Sequence, residues 1–119
     1  MKIALTISEK NENSKVDPRF GRCPYFLIID EETGEKKIID NTQNLNAMQG
    51  AGIQAAQNLL KENPDVLITG NIGPKAFSLL SSKVKIYLGA GDLTVEQALE
   101  KFKKGELQQA DSPNKPGHW

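Results

Sequence analysis

Cysteine and histidine are nearly missing from this sequence: its 119 residues hold one of each, Cys23 and His118. A single thiol excludes an internal disulfide and any four-thiolate zinc or iron–sulfur site built within one chain. A single histidine near the C-terminus gives no reason to expect a Ser–His–Asp or Cys–His engine. Excess charge is also missing. Fifteen basic residues balance fifteen acidic ones, for a formal net charge of +0, which argues against nucleic-acid binding through phosphate contacts. Apolar runs extend only a few residues, far short of the ~20 that span a bilayer. Met1–Ile7 passes into Ser8-Glu9-Lys10 without a signal-peptide core. The expectation is a soluble, cytoplasmic chain with neither a membrane nor a nucleic acid as partner.

What is present is periodic. Ile3, Leu5 and Ile7 alternate along a first strand, Lys2–Ile7. Ser8–Pro18 is polar and reads as a long loop. Tyr25–Ile29 is a continuous apolar run, as expected of a strand covered on both faces. Glu31–Gly34 supplies a turn into a more exposed strand, Lys36–Asp40, making an antiparallel hairpin. From there strands and helices alternate. A helix is predicted over Gly52–Lys61, a strand over Asp65–Thr69, a helix over Pro74–Ser81 and a strand over Val84–Leu88. A last helix starts at a Thr94/Gln97 capping box and stops at Gly105. This order predicts an α/β fold of three αβα layers around a mixed five-stranded sheet with one antiparallel strand. Residues 1–107 form one domain in this reading, and 108–119 a flexible polar tail.

Ligands of open α/β sheets bind beyond the carboxyl ends of the parallel strands. Glycines gather at those ends, in Gly50-Ala51-Gly52, Gly70-Asn71-Ile72-Gly73 and Gly89-Ala90-Gly91. They would let backbone N–H groups approach an anion, although tight strand-to-helix turns need glycine in any case. The second cluster is Asp17-Pro18-Arg19-Phe20-Gly21-Arg22-Cys23-Pro24, where two arginines flank an aromatic that looks exposed. Cationic neighbours would lower the pKa of Cys23 and make it a metal ligand. The arginines could also grip a carboxylate or phosphate bidentately. A plainer reading makes Cys23 a small buried residue at a strand entrance, with Arg22 paired to a surface carboxylate.

Arg19–Phe26, Gly50–Ile53, Gly70–Phe77 and Gly89–Ala98 occur in an order and spacing that resemble the dinitrogenase iron–molybdenum cofactor biosynthesis family. The resemblance runs from Met1 to about Leu107. It implies a ribonuclease H-like fold and a small protein that binds or carries a metal cluster rather than an enzyme. It also implies a site of Arg19, Phe20, Gly21, Arg22 and Cys23, with Gln49, Gly50, Gly52, Asn71, Gly73, Gly89 and Gly91 around it. Two positions depart from the family pattern: Arg19 and Gln49 stand where relatives often carry histidine. Soft coordination then falls to Cys23, with Met48 nearby in sequence. One thiolate can anchor a preassembled cluster that brings its own ligands, or share a cluster across a dimer.

Two functions follow as expectations. The first is a carrier for an iron–sulfur or iron–molybdenum-type cluster or its precursor, passing it from a donor protein to an acceptor, as a monomer or homodimer. The alternative is a metal-free anion-binding or regulatory module built on Arg19, Arg22 and the glycine loops. A nuclease of ribonuclease H type is disfavoured, because two-metal hydrolysis draws a carboxylate from the first strand and Lys2–Ile7 has none. No catalytic residue is assigned.

Overall fold

The computed structural model describes residues 1–44 and 50–114. Its elements run β1 (Lys2–Ile7), β2 (Tyr25–Asp30), β3 (Lys36–Asp40), a 3₁₀ turn (Thr42–Asn44), α1 (Ala51–Leu60), β4 (Val66–Ile68), α2 (Pro74–Leu80), β5 (Lys85–Leu88), α3 (Val95–Lys103) and β6 (Gln108–Gln109). Among the described residues one sheet contains every strand, in the order β3-β2-β1-β4-β5-β6. β1 pairs in parallel with β4, and β4 with β5. β2 runs antiparallel to both β1 and β3, and β6 runs antiparallel to β5.

The expected five strands with one antiparallel member are therefore corrected to six, of which β2 and β6 oppose the rest. β6 is two exposed glutamines with no apolar alternation to mark them. Its backbone nevertheless continues the sheet, and the Ala110 N–H adds a bond of 2.7 Å to the Ile86 carbonyl.

Side-chain alternation builds two cores. Ile3, Leu5, Ile7, Leu27, Ile29, Val66 and Ile68 point to the α3 side, where Val95 and Ala98 cover them. Ala4, Phe26, Ile28, Leu67 and Ile86 point to the other side, against Ala55, Ala56 and Leu59 of α1 and Ala76 and Leu80 of α2. Tyr25–Ile29 is covered on both faces because it feeds both cores. Each fully buried Leu or Ile contributes roughly 1.5–3 kcal/mol.

α1 buries mainly alanines, so it sits close to the sheet, while Ile53 and Leu60 are only half-buried. α3 begins on the expected capping box. Thr94 Oγ1 accepts the Gln97 N–H at 3.1 Å, and Gln97 Oε1 accepts the Thr94 N–H at 3.0 Å. Phe102 of α3 packs edge-on against Tyr87 with ring centres 5.0 Å apart. Among the described residues, no helix is long and apolar enough to cross a membrane.

Candidate functional site

The carboxyl ends of β1, β4 and β5 are crossed by the chain's own segment 16–20. Val16 exchanges backbone hydrogen bonds with Asp92 and Leu93, and the Asp17 N–H reaches the Thr6 carbonyl at 2.8 Å. Thr6 Oγ1 donates back to the Asp17 carbonyl at 2.8 Å and lies 2.9 Å from Thr69 Oγ1. The Pro18 carbonyl accepts the Asn71 N–H at 2.8 Å, and the Phe20 N–H donates to the Asn71 carbonyl at 3.2 Å. Arg19 and Asn71 thereby form a parallel bridge. Gly70 and Gly91 have a specific use here: a Cβ on either would stand within 3.0 Å of Pro18. Much of the space that sequence reasoning reserves for a ligand at these two glycines is filled by Pro18.

Arg19 sits at the isolated bridge to Asn71, and residues 20–22 turn the chain inward towards β2. Arg19 is exposed, Phe20 buried, Arg22 half-buried and Cys23 buried. The expected exposure of Phe20 is corrected: its ring is fully enclosed, 5.6 Å from that of Phe26. Asp17, which opens the predicted cluster but was given no role in it, organises this strip. It is 4% exposed, and its Oδ1 accepts the Arg19 backbone N–H at 2.9 Å and lies 3.4 Å from Arg19 Nε. Its Oδ2 accepts the Ser8 hydroxyl at 3.1 Å. The readable signal was an Asp two residues before a backbone N–H, across a proline, which is an Asx turn. Arg19 is thus held at its Nε while its side chain stays 44% exposed.

Cys23 lies in the core shared with α1 and α2. Its Sγ–H donates to the Phe20 carbonyl at 3.2 Å. Burial pushes its pKa well above the ordinary thiol value, and the nearby Asp17 charge pushes the same way. The Asn41 hydrogen bond and the Arg19 charge pull down, but less. The expected lowering by arginines is corrected: desolvation outweighs them. Asn41, also fully buried, donates to the Cys23 carbonyl at 2.8 Å and accepts from Asn44 Nδ2 at 2.7 Å.

The Gly70–Asn71 turn and Gly89 border a different space, a cavity of about 660 Å³ that also involves Leu93, Gln108 and Asn114. None of residues 19–23 lines it. Gly50 caps α1 in a left-handed conformation (φ 76°) and Gly73 caps α2 in an extended one. Neither has a side chain to occupy the first-turn N–H groups. Gly52 is buried within α1. Met48, Gln49 and His118 lie outside the described residues. Among the described residues no three His, Cys, Asp or Glu side chains converge as a metal site. With Cys23 buried, the donors among the described residues do not fit thiolate coordination of a cluster. An exposed guanidinium and glycine-capped helix starts fit an anion.

A family model for the dinitrogenase iron-molybdenum cofactor matches residues 1–105. The chain belongs to that family. As a member of the dinitrogenase iron-molybdenum cofactor family it has relatives of nearly its own length. An uncharacterized protein of Methanocaldococcus jannaschii is 35% identical over 91% of this chain and 90% of its own. The orange protein of Desulfovibrio gigas, solved in its apo form, is 40% identical, with a TM-score of 0.90 over 96% of both chains. An NMR structure of a Thermotoga protein is 32% identical, with a TM-score of 0.80 over 96% of this chain and 97% of its own.

Proposed function

We propose that this protein binds and carries a preassembled anionic metal–sulfur cofactor, of iron–sulfur or iron–molybdenum type, without itself catalysing a reaction. The cargo brings its own sulfur ligands, and the protein grips it with charge and hydrogen bonds. Arg19 supplies the guanidinium, and the Asn71–Gly73 turn beside it supplies backbone polar groups. The observation that carries this reading is the contrast between the two candidate groups of one family-matched strip. The Arg19 side chain is open to solvent, whereas the Cys23 sulfur is enclosed and held protonated. Only the first can meet a cargo without rearrangement of the core. Delivery between a donor and an acceptor protein, by a monomer or a homodimer, completes the reading.

The test is anaerobic titration with iron–molybdenum cofactor extracted from a nitrogenase, reading iron and molybdenum retained after gel filtration. Wild-type protein and Cys23→Ala retain the cofactor alike, and Arg19→Ala loses it. Failure of the wild-type chain to retain metal sinks the carrier reading. Loss of retention in Cys23→Ala sinks the ligand-free grip.

The second reading is a metal-free module for a small oxyanion, using Arg19 and Arg22 with the glycine loops. It is favoured by the lack of a convergent metal-ligand set among the described residues. Calorimetric binding of molybdate or phosphate that weakens in Arg22→Ala, with no cofactor retained, would select it.

A further inference from the structure

Residues 108–114 leave the sheet edge and return across its end. At the near end they are anchored, because β6 pairs with β5 and the Ala110 N–H bonds the Ile86 carbonyl at 2.7 Å. At the far end Asn114 makes three hydrogen bonds to the Asn71–Ile72 turn. Its Oδ1 accepts the Ile72 N–H at 2.8 Å, its own N–H donates to the Ile72 carbonyl at 3.1 Å, and its Nδ2 donates to Asn71 Oδ1 at 3.0 Å. Asp111, Ser112 and Pro113 between these ends border the 660 Å³ cavity together with Gly70 and Gly89. An anchored end, an exposed span and a latched end describe a strap.

The latch holds the same groups that the turn would offer a ligand. A carboxamide oxygen on the Ile72 N–H stands where an anion's oxygen would stand. The span also brings Asp111 to the cavity, which Glu106 already lines, and the negative charge of both disfavours an anion there. Lys101 is the cation on that wall, and it lies 3.9 Å from Glu106. We infer that residues 108–114 are a displaceable strap, latched by Asn114 onto the Asn71–Ile72 turn, and that anionic cargo gains the Ile72 N–H by releasing it. This rests on the reading of the turn as part of an anionic cargo site, and adds to it the device that keeps the unloaded turn closed. Loading then exchanges an internal amide for the cargo, and unlatching becomes a surface change that an acceptor protein can sense.

Asn114 is exposed and belongs to neither core, so Asn114→Ala tests the latch without threatening the fold. Two measurements are paired: hydrogen–deuterium exchange by mass spectrometry, and retention of extracted iron–molybdenum cofactor. Without cofactor, Asn114→Ala speeds exchange in the peptide containing Ile72. With cofactor, wild-type protein exchanges faster over 108–114. The variant binds the cofactor about tenfold more tightly, roughly the worth of one or two neutral hydrogen bonds no longer in competition. Unchanged exchange at Ile72 in the variant overturns the latch. Equal or weaker binding by the variant, with the wild-type chain still binding, overturns the competition alone. Binding by neither form overturns the competition and the carrier reading together.

Discussion

A Cβ placed on Gly70 would lie 2.7 Å from the Pro18 Cα and 2.8 Å from the Pro18 carbonyl oxygen. Both are backbone atoms, and the Pro18 carbonyl is fixed by the Asn71 N–H at 2.8 Å and Asn71 Nδ2 at 3.0 Å. Nothing there can give way cheaply. Gly70→Ala is expected to cost about 1–3 kcal/mol or more, as overpacking does. Gly34 is the control, since a Cβ there meets nothing within 4 Å and only its left-handed φ of 78° is strained. Gly34→Ala should cost about 1–2 kcal/mol. Urea unfolding of both variants checks the order, and Gly70→Ala at or below the cost of Gly34→Ala would contradict the packing account.

Cys23 carries a pH prediction. Its folded-state pKa is raised, chiefly by burial and then by Asp17. Below the ordinary thiol pKa both folded and unfolded states hold the proton, so the thiol adds no pH dependence. Above it the unfolded chain releases the proton while the folded chain keeps it. Stability then falls as pH rises, until the folded pKa is reached, by at most about 1.4 kcal/mol per pH unit. Unfolding free energies of wild type and Cys23→Ala, compared from pH 7 to 10.5, cancel the other titrating groups. Their difference should hold steady to about pH 8.5 and then shift against the wild type. A constant difference across the range would mean that the thiol ionises as freely folded as unfolded.

The Asp17–Arg19 pair separates stability from binding. Arg19→Ala removes a 44% exposed side chain whose ion pair with Asp17 is at 3.4 Å. Pairs of this kind contribute about 0–1 kcal/mol. Asp17→Ala instead leaves the Arg19 N–H and the Ser8 hydroxyl, both part-buried, without their acceptor, at about 1–2 kcal/mol. Both variants should retain less extracted cofactor, but only Asp17→Ala should unfold at clearly lower urea. Equal destabilisation by the two would show that Arg19 serves the fold rather than a ligand.

Much of this was legible in the residues. Alternation in Lys2–Ile7, the double-faced run at Tyr25–Ile29 and the Thr94/Gln97 capping box are short-range signals, and each reappears in the structure where it was read. β6 was not legible. Gln108 and Gln109 join the sheet through backbone bonds that leave no mark on side-chain choice. Phe20 was misread because its arginine neighbours suggest a polar surface, yet the turn after Arg19 carries the Phe20 ring inward against Phe26. Gly70 and Gly91 were recognised as sites of close backbone approach, but sequence alone could not show that Pro18 approaches them. That contact joins residues far apart in the chain, as does Asn114 with Ile72.

Asn41 and Asn44 allow a sharper test of the polar layer beneath Cys23. The Asn41 N–H donates to the Pro24 carbonyl at 2.8 Å and its Nδ2 to the Cys23 carbonyl at 2.8 Å, while its Oδ1 accepts from Asn44. Asn44 Oδ1, also buried, has no partner among the described residues. Removing Asn41 strands the Cys23 carbonyl and Asn44 Nδ2 together, so Asn41→Ala is expected to cost about 2–4 kcal/mol. Asn44→Ala strands Asn41 Oδ1 alone among the described residues, so it should cost about half as much or less. Unfolding by urea ranks the two, and thiol labelling gives an independent reading. Asn41→Ala should label Cys23 faster in native buffer because the cover over the sulfur is loosened, whereas Asn44→Ala should change that rate little. If the ranking inverts, Asn44 rather than Asn41 ties the 3₁₀ turn to the thiol.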